Sequence, residues 1–294
     1  MKLLVDSGAR ARTCRAPCQS ISSSTELPAA SKPSTWARPV PYQWSKTRGC
    51  SRNRPTIDLT RIPAAGWPPT ALPEFPCCPD PQLDALAKAG AKAATVAGLD
   101  PFLQGAYAST LYAFGQVLRD HFPAQDLQIA AADMANLYHG DAHAIVHHGN
   151  LTVDGDFAPP SVLVVTGNLQ VNGILHDSAN MAVLGDVHAQ HLYTQSWFIV
   201  GGDCVVEGFV HGEYNDNMFE GLGRLKAHAV IVDEHAFHAE SGFAITLQPA
   251  EAGISWEREL FDLREEKHRA ELLAGVAPAV HAVVPLERFE AFEE

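Results

Sequence analysis

No apolar run in this chain is long enough to cross a membrane. Its opening, Met-Lys-Leu-Leu-Val-Asp, lacks the continuous apolar segment of a secretory signal. Cations nearly vanish from residues 141–250, where Arg224 and Lys226 stand against 13 Asp and Glu. An enzyme that stabilises developing anions with Lys or Arg therefore has little to work with in that span. A phosphate-binding glycine loop, a Ser/His/Asp order and a zinc signature are also missing. Cysteine is scarce past residue 78, where Cys204 is the one example. These absences lead us to expect a cytoplasmic, non-enzymatic protein with no cofactor and no metal.

Charge is distributed unevenly. The 294 residues carry a formal −13. Residues 1–79 hold 11 Lys/Arg and 4 Asp/Glu, a balance of +7, so residues 80–294 hold 10 and 30, a balance of −20. The first part also holds Cys14, Cys18, Cys50, Cys77 and Cys78, with 12 of the 20 prolines and Trp36, Trp44 and Trp67. It shows no clear apolar period, and it reads as a disordered tail or as residues preceding a misassigned start. Its Arg and Ser content with few acids also suits an organelle transit peptide. The expected organisation is 1–79 extension, 80–140 helical cap, 141–250 β-helix, and 251–294 C-terminal helix with an acidic tail.

One spacing organises the acidic part. Gly149-Asn150, Gly167-Asn168, Gly185-Asp186, Gly202-Asp203 and Gly223-Arg224 lie 18, 18, 17 and 21 residues apart. Four before each glycine stand Ile145, Leu163, Met181, Phe198 and Phe219. Two after stand Leu151, Leu169, Val187, Cys204 and Leu225; four after, Val153, Val171, Ala189, Val206 and Ala227. Eight after stand Phe157, Leu175, Tyr193, Val210 and Ile231. Alternation with period two specifies strands, and a repeat near 18 residues specifies a solenoid. At about 3.3 Å per residue, one repeat traces roughly 60 Å, a three-sided coil. The expected fold is mainly β, a parallel β-helix of about five coils, with an evenly spaced β-sandwich as the alternative. Gly155, Gly173 and Gly208, six residues after the first glycines, suit corners where φ turns positive.

Helical signals flank the repeat. Asp80-Pro81 and Asp100-Pro101 read as helix starts, since Asp caps and Pro lacks the orphaned N–H. Leu103, Tyr107, Leu111, Phe114, Leu118 and Phe122 form a helical stripe. A third helix is expected over 124–138 and a last one from Ser255 to about Ala274, stopped by Gly275. Such material at both ends would prevent end-to-end association of the solenoid.

Several residue groups invite chemistry. His139, His143, His147 and His148 cluster before the first coil, and His235 and His238 follow Asp233-Glu234. Metal ligation is one reading, polar residues in connections the plainer one. Asn150, Asn168, Asp186 and Asp203 stack in successive coils, which suggests a structural ladder, with a calcium or saccharide site as the sharper reading. Asp186 and Asp203, about 4.8 Å apart by strand spacing, are the one pair to name for acid–base work, and such proximity would raise one pKa. Cys204 falls on an inward position and reads as inert core. The long repeat in coil four places extra residues around 211–217, and solenoid insertions become loops on a binding face. The expected partner-binding residues are Glu207, His211, Glu213, Tyr214, Asp216, Asn217 and Glu220.

The stretches Leu163-Val-Val-Thr-Gly-Asn-Leu-Gln-Val-Asn-Gly173 and Phe198-Ile-Val-Gly-Gly-Asp-Cys-Val-Val-Glu-Gly208 resemble coils of bactofilin-type, polymer-forming β-helix proteins. The resemblance spans roughly 145–235 and implies a scaffold that assembles end to end. The capped ends and acidic core depart from that pattern. The sequence also resembles β-helix immunity proteins that accompany bacterial polymorphic toxins, which implies a cognate, basic protein toxin as partner. The expectation is a protein-binding immunity protein whose partner is neither nucleic acid nor membrane. Self-associating scaffold and carbohydrate-active enzyme are the alternatives.

Overall fold

A computed structural model describes residues 57–69, 71–139, 142–213, 217–233 and 235–246. Three helices come first: α1 (Leu83–Gly90), α2 (Val96–Leu103) and α3 (Ala108–His121). Fourteen strands follow: β1 (Leu127–Ala130), β2 (Ile145–His147), β3 (Leu151–Asp154), β4 (Leu163–Val165), β5 (Leu169–Asp177), β6 (Met181–Val183), β7 (Val187–Thr194), β8 (Phe198–Val200), β9 (Cys204–Val206), β10 (Phe209–Glu213), β11 (Met218–Gly221), β12 (Arg224–Asp233), β13 (Ala236–His238) and β14 (Ser241–Thr246).

All strand-to-strand pairings among the described residues are parallel, and the chain winds as a β-solenoid of about five turns. The sequence spacing is the register. Leu151 pairs with Leu169, then Val187, Cys204 and Leu225 along one face. Ile145, Leu163, Met181, Phe198, Phe219 and Phe237 run along another, formed by β2, β4, β6, β8, β11 and β13. The long strands β5 and β12 bend where the register shifts, between Val171 and Ile174 and between Lys226 and Ala229. That bend divides the larger sheet into two faces and makes the coil three-sided. The inward rows merge into one core with Phe157, Leu175, Phe198, Val210 and Phe219 fully buried. At about 1.5–3 kcal/mol per fully buried large apolar side chain, five coils of such rows hold the solenoid together without a disulfide.

The eighth column needs correcting. In coil three Leu192, not Tyr193, pairs with Leu175 and Val210 and is buried; in coil five Val230, not Ile231, pairs with Val210. The corner of coil three is one residue shorter: Val171 to Ile174 spans three steps where Ala189 to His191 spans two. Side chains alternate with period two, so one lost residue turns Tyr193 outward.

From the second coil on, the glycine of each dipeptide has the same cause, whereas Gly149 has φ 131° and would set a Cβ against the Gln125 backbone. A Cβ on Gly167 would lie 2.5 Å from Asn150 Oδ1, and Cβ atoms on Gly185, Gly202 and Gly223 would meet the Asx of the preceding coil in the same way. Glycine is needed there because the neighbour's side chain fills the space. Of the corner glycines, Gly155 does have positive φ, at 106°; at Gly208 the ring of His191 occupies the position a Cβ would take.

α3 packs on the face of short strands. Its Leu111, Phe114 and Leu118 join Val146, Val164, Ala182 and Ile199 in a second core, and Gly115 allows close approach to Leu184 and Val164. The helix boundaries differ from expectation. α1 begins after Gln82, and Pro101 lies inside α2, which Thr95 caps by accepting the Gly98 N–H at 3.3 Å. Asp100 is buried instead, and its Oδ1 accepts N–H bonds from His143 (3.0 Å) and Ala144 (2.6 Å), tying α2 to the entry of the solenoid. Residues 124–138 are not a helix. They form β1 and a 3₁₀ turn over Ala131–Leu137 whose buried Leu137 lies in the solenoid core, with Met134 packed against it. The expected helix over 255–274 lies outside the described residues.

Residues 57–79, placed by sequence with the extension, pack into the fold. Leu59, Ile62, Trp67 and Cys78 are buried in the helical core, and Trp67 stacks on Phe114 at 6.4 Å. Their apolar residues anchor an irregular path one at a time, so no period marks them.

Candidate binding corner and polar columns

Two columns of polar side chains run across the coils. The first is the Asx column. Asp126 Oδ1 accepts the Asn150 N–H at 3.0 Å, Asn150 that of Asn168 at 2.8 Å, and Asn168 that of Asp186 at 2.9 Å. Asp186 accepts from Asp203, and Asp203 from Arg224, each at 2.9 Å. The side chains bond the next backbone rather than one another, and the ladder begins one rung before the first glycine. Arg224 also pairs with Asp203, Nη2 to Oδ2 at 2.5 Å. Hydrogen bonds from Arg224 hold the Asp203 carboxyl below its ordinary range, and bonds from Asn150 do the same for Asp126. The raised pKa expected of the Asp186–Asp203 pair is therefore not found at Asp203, because each carboxylate already has a donor.

Three of the four histidines before coil one bond the backbone, while the His143 side chain is exposed. The ring Nε2 of His139, His147 and His148 bonds the carbonyls of Val146 (2.8 Å), Asn150 (2.9 Å) and Phe122 (2.9 Å). His148 Nδ1 bonds Thr166 Oγ1 at 2.7 Å. Among the described residues no three His, Cys, Asp or Glu side chains are grouped to hold a metal ion. Cys204 is buried, and burial pushes its thiol up to about 12.

The second column stands at the corner of coils two to four and was not anticipated. His176, Tyr193 and His211 occupy equivalent positions, with ring centroids 4.7 and 5.0 Å apart. Tyr193 Oη donates to Glu213 Oε2, while Gln195 Nε2 donates to Tyr193 Oη at 2.6 Å and to Glu213 at 3.3 Å. Burial lowers the His176 pKa, opposed by Gln195 and the Glu213 charge. Beneath them Asp177 is fully buried. It accepts from Thr194 Oγ1 (2.7 Å), the Gln195 N–H (2.6 Å) and the Ser196 N–H (3.1 Å). Burial outweighs these donors and pushes its carboxyl up to about 7. Sequence spacing hid this column, because His176 and His211 stand nine after their glycines and Tyr193 eight after its own.

The coil-four residues named from sequence divide. Glu207 is exposed, and Glu213 is half-buried within the corner column. Asn217 is half-buried, its Nδ2 bonding the Gln195 carbonyl at 2.8 Å, so it ties the loop's far side to the column. Tyr214 and Asp216 lie outside the described residues. His211 is 3% exposed and Glu220 is fully buried, so neither presents itself to a partner. Glu220 instead accepts the Cys78 N–H at 2.8 Å and the Cys77 N–H at 3.4 Å, pinning the segment before α1 onto β11. Burial, then Glu220, pushes the Cys78 thiol up. No helix among the described residues is long and apolar enough to cross a membrane. Comparison with protein-family models, curated proteins and solved structures finds no match to this chain.

Proposed function

We propose that this β-solenoid is a non-catalytic, cytoplasmic protein-binding module, an immunity protein that neutralises a cognate basic toxin, and that the partner meets the corner built by Tyr193, Gln195 and Glu213. One observation carries the reading. Residues 141–250 carry 13 Asp and Glu against Arg224 and Lys226, and the ladder carboxylates of Asp126, Asp186 and Asp203 are held in place by backbone N–H groups. Such charge speeds capture of a basic protein and selects against acidic ones. At the far end of β7 from the ladder stands a tyrosine positioned by Gln195 and Glu213, next to the coil-four insertion. Tyrosine is enriched among residues that dominate binding energy. Glu207, Glu213 and Asn217, with Tyr214 and Asp216 of the loop, complete the proposed interface.

Co-expression with the product of the adjacent gene tests this. The expected result is rescue of a growth defect and a co-purifying complex. A harmless neighbour, or neither rescue nor complex, would refute the immunity reading. A self-assembling scaffold draws support from the solenoid fold itself. Against it, the Ala131–Leu137 turn sets Leu137 into the N-terminal end of the core. Filaments of the purified chain in negative-stain micrographs would favour the scaffold instead.

A further inference from the structure

The N-terminal edge of the solenoid carries an open rung. Among the described residues β1 has β3 as its one strand neighbour and ends the larger sheet. Leu127 N–H bonds the Asn150 carbonyl at 2.9 Å, so Leu127 and Ile129 face β3 with their backbone groups. Backbone groups alternate along a strand, so those of Gln128, with Asp126 and Ala130 on either side, point away from the sheet. All three residues are exposed. In the coils that follow, each Asx N–H is met by the Oδ1 of the Asx one coil earlier. Asp126 is the first of the series, and its own N–H is where a further Asx oxygen would bond.

Beside this edge lies a cleft of about 300 Å³ that shares Gln125, Asp126 and Leu127 with it and is walled by Ile57, Phe122 and Val146. Its one Lys or Arg, Arg61, sits over the Phe122 ring at 5.7 Å. Around the edge stand exposed Asp126, Asp133 and Asp154.

We infer that β1 is a docking edge for an extended segment of a second, basic protein, added as a parallel strand of the form Asn/Asp–apolar–x–apolar. Strand addition draws affinity from main-chain bonds and specificity from alternate side chains. Here the Asx supplies the missing oxygen to Asp126 N–H. The two apolar residues continue the rows of Leu127 and Ile129, and the residue between them faces the acidic surface. The residue before the Asx lies over the cleft. The chain's own undescribed termini do not offer this pattern: Asp6, Asn53 and Asp262 are their only Asx residues, and Ser-Gly-Ala, Arg-Pro-Thr and Leu-Arg-Glu follow them. Two copies meeting edge to edge would bring like charges at Asp126, Asp133 and Asp154 together. This surface is separate from the proposed corner, with β3, β5 and β7 between it and β10.

The test uses the full chain and a labelled peptide, Arg-Gly-Asn-Leu-Lys-Val-Lys, followed by fluorescence anisotropy at low salt. We expect binding that weakens at least tenfold when the peptide Asn is replaced by Ala. We also expect at least a tenfold loss with Gln128→Pro, which removes the central edge N–H at a position where proline is tolerated. Amide exchange on the unaltered chain keeps the test decisive if that variant misfolds: the peptide should slow exchange at Gln128. No binding at millimolar peptide, equal affinity for the Ala peptide, or unchanged exchange at Gln128 would overturn the inference. A concentration-dependent dimer that the peptide dissociates would replace the proposed occupant with a second copy and overturn it equally.

Discussion

The two polar columns of the solenoid are built from side chains of similar polarity and behave in opposite ways. The Asx column is exposed and periodic, and each oxygen is matched to one N–H of the next coil. Its carboxyls at Asp126 and Asp203 are held low by those donors. The corner column is half-buried and aperiodic: His176, Tyr193 and His211 share positions without sharing chemistry, and Asp177 beneath them is pushed up by burial. A column that repeats serves every coil alike, so its simplest role is holding coils together. A column that changes residue from coil to coil has no such common role, and it also flanks the one long insertion. Regularity marks the scaffold here, and departure from it marks the surface free to be specific.

The largest expected effect is the pH dependence of the corner. An unfolded Asp177 titrates at 3.8, the folded one at about 7. Between these values the unfolded chain has lost a proton that the folded chain keeps, so this group makes stability fall as pH rises from about 4 to 7 and adds nothing further above that. Asp177→Asn keeps an oxygen for the Gln195 and Ser196 N–H groups and removes the titration. Its stability relative to wild type should improve by up to about 4 kcal/mol between pH 4 and pH 8, read from urea midpoints. Asp203 has the opposite sign. Its stabilisation is present above its ordinary value and lost as pH falls through the depressed one. Profiles of equal slope for Asp177→Asn and wild type would erase the contrast between the columns.

The next effect belongs to the Asx column. Gly167→Ala would set a Cβ 2.5 Å from Asn150 Oδ1 and 2.6 Å from the Gly149 carbonyl. Overpacking against backbone should destabilise by about 2–3 kcal/mol. Gly105→Ala, whose Cβ would meet one atom at 4.0 Å, should leave the urea midpoint nearly unchanged. Equal losses would mean that the dipeptide is not required by the ladder.

The solenoid itself was legible in the sequence because every coil repeats the same dipeptide and the same inward alternation. What could not be read was whatever a single missing residue decides. Tyr193 sits eight after its glycine, like Leu175 and Val210, yet the shorter corner at His191 turns it outward. The corner column went unseen for that reason. β1 was hidden differently. Asp126-Leu127 has no preceding glycine because no earlier Asx crowds Gln125, so the first rung lacks the signature of the others. Glu220 was read as surface because an acid on a strand usually faces water, but residues 77–78 cover it. Long-range contacts from an aperiodic segment leave no local trace.

The smallest expected stability effect carries the functional contrast. Glu213 accepts from Tyr193 Oη and Gln195 Nε2, and glutamine in its place retains an acceptor oxygen. Glu213→Gln should therefore change stability by no more than about 0.5 kcal/mol. It removes one negative charge from the corner. If a basic partner docks there, its association rate at low salt should drop several-fold, with the difference shrinking as salt screens the field. Asp84→Asn, which removes an exposed acid of α1 outside the proposed interface, is the matched control. A smaller drop for Asp84→Asn places the contact at the tyrosine corner. Equal drops would show that net charge alone steers the partner and that the corner column adds no specificity. A melting shift of several degrees in Glu213→Gln would instead assign Glu213 to the fold, and the corner would then be scaffold like the Asx column.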